Sequence, residues 1–240
     1  MKVFKKLSIL LVLLMLLGLV GAQSPAQVTA QPPQKIVVFE LFTSDGWGAC
    51  TSAGLAVDQL ADDYSDKPVF FVEWGTNYNP NNRYSLLYES GGGRYIPEMM
   101  VDSSRIWKTG VTYESAKSYT DDALARPAKG VLDGSVSITG RIATLTVSVT
   151  NNSGITLNAA NKAAVHGIVF ENAKVHKTHR VGRQSAKVNI SDLPNGQTQT
   201  FTLTLDLSTV SNMKNITFVA LVDYKAATKT GGLYDQIQAI

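Results

Sequence analysis

The sequence predicts an α/β domain followed by an all-β sandwich domain, and three observations predict it. Apolar runs alternate with helical patterns from residue 35 to residue 127. Pro127 ends the last helical pattern, and the composition changes there. From residue 131 to residue 240, Val, Thr, Ser and Asn alternate with a period of two, as in β-strands. We therefore expect an α/β domain over 35–127 and a β-sandwich domain over 131–240.

The amino-terminal residues 1–22 predict a secretory signal peptide. Three lysines precede an apolar run over Leu7–Val20, and Gly21 and Ala22 supply the small residues of a cleavage site. The apolar run is shorter than the ~20 residues of a spanning helix, which favours cleavage over the alternative, an uncleaved membrane anchor. Residues 23–34, rich in Gln, Pro and Ala, predict a flexible leader. We expect an exported protein, in the periplasm, the cell envelope or outside the cell.

Charge and cysteine content narrow the function classes. The chain has 22 basic and 19 acidic residues, and three of the lysines lie in the signal peptide. The mature chain is therefore formally neutral, which disfavours nucleic acid as a partner. The single cysteine, Cys50, permits neither an internal disulfide nor a cysteine-based zinc site. His176 and His179, three apart on a predicted strand, point to opposite faces, so no metal and no cofactor is expected.

In the first part, a continuous β-branched and aromatic run predicts a buried first strand. A helix, a second buried strand, an irregular polar segment, a hairpin and a final helix follow. These elements, in order, are Lys35–Thr43, Thr51–Tyr64, Pro68–Trp74, Gly75–Gly93, Met99–Asp102 with Arg105–Lys108, and Thr112–Ala125.

In the second part, the turn sequences NNSG, LPNG and TKTGG separate short alternating segments. Regular spacing of this kind predicts an antiparallel sandwich of immunoglobulin-like type. The predicted strands are Gly134–Thr139, Ala143–Thr150, Ala164–Glu171, Ser185–Ile190, Gln199–Asp206 and Asn215–Tyr224.

The four residues Trp47-Gly48-Ala49-Cys50 lie where the first strand gives way to the first helix. In thioredoxin-like proteins a Cys-x-x-Cys motif occupies this turn, and the helix amino terminus stabilises the first thiolate. In this chain Trp47 stands at the first cysteine position and Cys50 at the second. A second element, Tyr95-Ile96-Pro97, precedes the third strand, where thioredoxin-like folds hold a cis-proline.

The chain resembles a group of secreted thioredoxin-like proteins of unknown function. Their turn reads ELFTSQGC-x-x-C and their third strand TPQMVVDG, where this chain has ELFTSDGWGAC and IPEMMVDSS. Its carboxyl-terminal half, with IVFENAKVHKTHRVGR and NITFVALVDYKAATKTGGLYDQIQA, is similar to the Omp28-related outer-membrane protein family. The resemblance implies a thioredoxin-like domain followed by an immunoglobulin-like sandwich. Cys50 would be the resolving thiol without its nucleophile, and ordinary dithiol exchange needs both sulfurs.

Two side chains around this turn each allow two interpretations. Cys50 is either a reactive thiol at a helix start or a buried, inert side chain. Glu40, in the first strand, is either an acid that supports the thiol or an edge carboxylate. Pro97 would pack against the turn as a supporting residue.

Four aromatic residues are candidates for binding: Trp47, Trp74, Tyr78 and Tyr95. Aromatic side chains with polar neighbours suit a protein or peptide partner, with a glycan as the alternative. Trp47 could instead fill the groove and block it. Two functions follow: a non-enzymatic binding or scaffold module, and a monothiol redox protein that forms mixed disulfides through Cys50. The burial of Cys50 distinguishes them.

Overall fold

The structure, a computed structural model, describes residues 33–44, 46–75, 83, 95–103, 106–175, 178–226 and 234–240. At 106–109, 174, 175 and 178 only the backbone is described. The predicted signal peptide, 1–22, and most of the predicted leader lie outside this set. The described residues belong to one compact unit, Pro32–Ile240, and none of their helices is long and apolar enough to cross a membrane.

Two helices occur among the described residues, α1 over Gly48–Asp63 and α2 over Tyr113–Leu124. The strands are β1 Val37–Thr43, β2 Val69–Gly75, β3 Glu98–Val101, β4 Ile106–Thr109, β5 Gly130–Thr139, β6 Ile142–Asn151, β7 Leu157–Asn158, β8 Ala164–Val175, β9 Thr178–Asn189, β10 Asp192–Leu193, β11 Thr198–Asp206, β12 Ile216–Lys225 and β13 Tyr234–Ala239.

One eight-stranded sheet runs through the unit in the order β13-β12-β8-β9-β2-β1-β3-β4. The pairs β1–β2 and β2–β9 are parallel and the others are antiparallel. The second sheet has three antiparallel strands in the order β11-β6-β5, and β7 pairs with β10. Strand β9 therefore joins the helix-containing segment to the strand-rich segment, beside β2 at Glu73 and Val181.

The predicted fold class, an α/β thioredoxin-like domain followed by an all-β immunoglobulin-like sandwich domain, is wrong. The described residues are mostly in strands, with two helices, and strands from both segments form one mixed sheet. The physical reason is that β2 is not an edge: β9 pairs with it and extends the sheet. Of the prediction only a coarser statement holds, a β-rich arrangement of immunoglobulin-like style in which the three-stranded sheet packs on β8 and β12.

Apolar clusters lie on both faces of the eight-stranded sheet. Its first face packs against the two helices at one end, through Phe39 and Val57, and against the three-stranded sheet at the other, through Val165 and Leu203. Its second face carries a separate apolar cluster with the following members: Val38, Phe42, Val72, Trp74, Met100, Ile168, Phe170, Val219, Leu221, Tyr234 and Ala239. Burial on both faces explains why β1 and β13 are buried along their whole length.

Candidate functional site

One end of the eight-stranded sheet presents two aromatic side chains, one in the turn between β1 and α1 and one in the segment that leads into β3. Phe42 pairs with Glu98, so the chain leaves β1 beside the place where Tyr95 to Pro97 lead into β3. Trp47 is the N-cap residue of α1 with extended backbone, and its side chain is 61% exposed. Tyr95 is 69% exposed. Trp47 and Tyr95, together with the turn before α1 and the segment before β3 that carry them, are called the aromatic turn below.

Cys50 lies three residues after Trp47, near the start of α1, and it is buried, at 3% exposure. Gly48 and Ala49 precede it in the first turn of α1, where Thr51 N donates to Trp47 O at 3.0 Å. The geometry turns the sulfur towards the core and the Trp47 indole towards solvent. The peptide bond between Ile96 and Pro97 is cis, as the resemblance implied.

Of the other two predicted binding residues, one does not join this surface and one lies outside the described residues. Trp74 was expected on it, but its side chain is fully buried on the second face of the sheet. The prediction is wrong because Trp74 alternates along β2 with Glu73 and so faces the apolar cluster. Tyr78 lies outside the described residues.

Glu40 also has a role other than the one predicted for it. It is fully buried on the second face and accepts hydrogen bonds from Trp74 Nε1 at 2.8 Å and from Arg83 Nε at 2.9 Å. No hydrogen bond between Glu40 and Cys50 occurs among the described contacts. Glu40 therefore holds a tryptophan and an arginine in place rather than serving the thiol.

Arg83 is the centre of a buried polar cluster on the second face, formed by Glu40, Arg83, Ser103, His166 and Asp223. Arg83 Nη2 donates to Ser103 Oγ at 2.9 Å and to Asp223 Oδ2 at 3.1 Å. His166 Nε2 lies 3.0 Å from Asp223 Oδ1. Each of these side chains is at most 5% exposed, so the two carboxylates depend on the arginine for compensation of their charge.

The charges in the buried polar cluster shift its pKa values in different directions. Burial alone would raise the pKa of Asp223, but the neighbouring His166 and Arg83 outweigh it and hold that pKa at about 2. Burial would lower the pKa of Arg83, whereas Glu40 and Asp223 raise it above its ordinary value. Burial lowers the pKa of His166, so its ring is neutral at neutral pH. Because Asp223 is ionised at neutral pH, Nε2 of the neutral ring carries the hydrogen and donates a hydrogen bond to the carboxylate.

The turn after β3 holds the buried polar cluster with a strained backbone. Asp102 and Ser103 are consecutive, fully buried and left-handed, with φ of +57° and +59°. Such φ values are uncommon outside glycine and persist only where side-chain contacts support them. Ser103 bonds Arg83, while Asp102 forms ion pairs with Lys35 at 2.9 Å and Arg126 at 2.7 Å.

A second charged cluster connects α1 to β9 through Glu73. Glu73 is fully buried, and its Oε1 accepts from the backbone N–H groups of His179 at 3.2 Å and Arg180 at 3.4 Å. Arg180 also pairs with Asp58 of α1. Burial raises the pKa of Glu73 to about 7, although the charge of Arg180 opposes the rise.

This raised pKa predicts a pH dependence of stability that Glu73→Gln removes. The unfolded carboxyl releases its proton near pH 4.5 and the folded one near pH 7, so the native state binds the proton more tightly. The stabilising contribution is present below pH 4.5 and is lost as the pH rises through 7. We expect the free energy of unfolding of wild type relative to Glu73→Gln to fall by up to about 3 kcal/mol across that range.

Urea unfolding at a series of pH values checks this prediction. Glu114→Gln, which removes an exposed carboxylate on α2, is the control and should keep the wild-type pH profile. Parallel pH profiles for wild type and Glu73→Gln would contradict a raised pKa at Glu73.

The sequence interpretation did not identify the buried roles of Arg83, Ser103 and Asp223. For Asp223 the sequence does contain a signal. Asp223 interrupts the apolar run FVALVDY two residues after Leu221, so both side chains point to the same face of the strand. A carboxylate on that buried face needs a cation. The cation, Arg83, is 140 residues away from Asp223 in the sequence. Among the described residues no group of three His, Cys, Asp or Glu side chains is placed to hold a metal ion.

Comparison with known proteins gives a fold and no function. No family model and no curated protein matches the chain. The protein AGR_C_4864 of Agrobacterium tumefaciens is similar in structure, with a TM-score of 0.51 and 16% identity over 88% of this chain and 95% of that one.

Two further solved structures are less similar. A putative carbohydrate-binding protein of Bacteroides uniformis has a TM-score of 0.33 and 9% identity over 60% of this chain and 70% of its own. The curli protein CsgC of Escherichia coli has a TM-score of 0.24 and 14% identity over 46% and 96%. The likeness to the Agrobacterium protein shows a shared fold, and membership of the secreted families that the sequence resembles stays a prediction.

Proposed function

We propose that this protein is a non-enzymatic binding module that holds a polypeptide segment of a partner at the aromatic turn. One observation carries the proposal: the turn buries its sulfur, Cys50, and exposes its aromatic side chains, Trp47 and Tyr95. Tryptophan and tyrosine supply large apolar area with few rotatable bonds and a polar group, and they are enriched at interface hot spots.

Burial of Cys50 disfavours the monothiol redox alternative. A thiol that forms mixed disulfides must reach the partner's sulfur as a thiolate. At 3% exposure Cys50 is inaccessible unless the start of α1 opens.

A polypeptide suits the position of the aromatic turn better than a glycan does. Among the strands that the structure describes, β4 pairs only with β3 and forms one edge of the eight-stranded sheet. Thr109, at the end of β4, pairs with Glu98, so this edge reaches the same end of the sheet as the aromatic turn. An extended peptide can use both the aromatic side chains and the backbone groups of an edge strand, whereas a sugar would use the first alone.

The proposed setting is the periplasm, the cell envelope or the exterior, and it rests on residues 1–22 alone. Their lysines, apolar run and small residues have the order of a signal peptide.

The proposal predicts that Trp47→Ala strongly weakens peptide binding without affecting the fold. Peptides are first selected from a displayed random library against the purified protein, and their affinities are then measured by calorimetry. We expect Trp47→Ala to weaken the selected peptides by about 30-fold or more, as for an interface hot spot. Tyr95→Ala should weaken them as well, and the Tm of both variants should stay at the wild-type value because both side chains are exposed.

Ile155→Ala is the matched control, since Ile155 is a 41% exposed apolar residue on a turn of the second segment. It should leave the peptide affinities unchanged. Peptides that bind wild type and Trp47→Ala equally would contradict the site. A selection that yields no peptide, together with an oligosaccharide whose binding Trp47→Ala abolishes, would show that the partner is a glycan.

A further inference from the structure

A cavity of about 270 Å³ opens on the second face of the sheet, where β8, β9 and β13 come together. His166 of β8 pairs across the strands with Lys187 of β9, and Ala164 pairs with Asn189. Tyr234, the first residue of β13, lines the same cavity. The volume is that of a small organic molecule rather than of a polypeptide.

The polar side chains that line this cavity are cationic or neutral. Lys162 and Lys187 are exposed at its rim and Asn189 contributes an amide. No aspartate or glutamate is among the described residues that line it. No described carboxylate forms an ion pair with Lys187. Two ammonium groups at the rim of one concave site concentrate positive potential in it.

The floor of the cavity is fixed by the buried polar cluster. His166 is 5% exposed, and its Nε2 is held by Asp223 at 3.0 Å. Asp223 is itself paired with Arg83 Nη2 at 3.1 Å, so its negative charge is compensated within the buried polar cluster. A floor held by such a chain of contacts keeps its shape when a ligand enters.

Part of the cavity lining is apolar. Tyr234 belongs to the apolar cluster of the second face and is 4% exposed. Ala164 lines the same cavity, and its side chain is a single methyl group that takes up little of the volume. An aromatic or short aliphatic group can pack there while its charged end lies between the lysines.

We propose that this cavity binds a small organic anion, with its phosphate or carboxylate between Lys162 and Lys187 and its apolar body against Tyr234. Lysine is a common point-charge ligand for phosphate and carboxylate. Lys162 is held at the rim with φ of +50°, a conformation that is uncommon for a side-chain-bearing residue. This site is formed by residues other than those of the aromatic turn, so its test is independent of the test of the proposed function.

Calorimetric titration of the purified protein with three probes of similar apolar body tests the proposal. Phenyl phosphate and benzoate carry the two candidate anions, and benzyl alcohol is neutral. We expect at least one anion to bind with a Kd below about 1 mM and benzyl alcohol not to bind. The stronger of the two anions identifies the ligand class as phosphate ester or carboxylate.

Three charge-removing variants locate the site. Lys187→Met and Lys162→Met should each weaken the bound anion by about tenfold, and added salt should weaken it in wild type. Lys214→Met removes an exposed lysine outside the cavity and should change nothing. All three side chains are exposed, so the variants are expected to fold. Absence of binding by both anions at about 10 mM, equal binding of benzyl alcohol, or unchanged affinity in Lys187→Met would overturn the proposal.

Discussion

Arg83→Met is expected to lower the free energy of unfolding by about 3–5 kcal/mol, because it leaves two buried carboxylates without their cation. Arg83 is 3% exposed and donates to Glu40 at 2.9 Å and to Asp223 at 3.1 Å. Methionine fills much of the same volume but supplies no charge and no donor. The loss should appear as a fall in Tm of about 6–20 °C, given about 2–4 °C per kcal/mol for a chain of this size.

Lys117→Met is the matched control for the loss of one cation from an ion pair. Lys117 lies 2.6 Å from Asp121 on α2, and both side chains are nearly half exposed. Exposed pairs of this kind contribute at most about 1 kcal/mol. If urea unfolding gave Arg83→Met the same small effect as Lys117→Met, the buried polar cluster would not be held together by Arg83.

Gly182→Val is expected to be the second most damaging change, because a side chain at position 182 has no room beside Trp74. A Cβ built on Gly182 lies 2.3 Å from Trp74 Cε3 and 2.6 Å from Cζ3. The ring cannot move away freely, since it is fully buried and its Nε1 donates to Glu40. Overpacking of this kind destabilises by about 1–3 kcal/mol, and valine should exceed alanine.

A double-mutant cycle and a control glycine make this prediction specific. Combining Gly182→Ala with Trp74→Leu should destabilise less than the sum of the single changes, because the smaller side chain relieves the contact. Gly48→Ala, in the first turn of α1, meets nothing within 4 Å and has no positive φ, so it should be neutral or slightly stabilising. Additive effects in the cycle would contradict the packing of Trp74 on Gly182.

Local patterns predicted most of the elements and not their assembly. The run over 35–43 became β1, and the patterns at 51–64 and 112–125 became the two helices with shifted ends. Spacing along the chain carries no information on the pairing of β2 with β9, which joins residues more than 100 positions apart. The prediction of two separate domains therefore gave β2 no partner from the second segment, whereas Gly182 lets β9 lie close beside Trp74.

The candidate site was predictable only in part, again because its contacts join residues that are far apart in the sequence. Trp47 at the first cysteine position is visible in the sequence, but its exposure was left open because the indole could also have filled the groove. The environment of Glu40 was not predictable, because its partners, Trp74 and Arg83, lie 34 and 43 residues away. Arg83 sits in a polar, glycine-rich segment that is typical of a solvated loop, so its burial has no local signal.

The labelling rate of Cys50 in the folded protein tests the central claim most directly. The purified protein is mixed with a maleimide under native conditions and in guanidinium, and the adduct is followed by intact mass. We expect native labelling to be at least about 100-fold slower than in the unfolded chain, because the thiol becomes reachable only when α1 opens. Labelling of the native protein at nearly the unfolded rate would contradict the account, since the turn would then expose a working thiol beside Trp47.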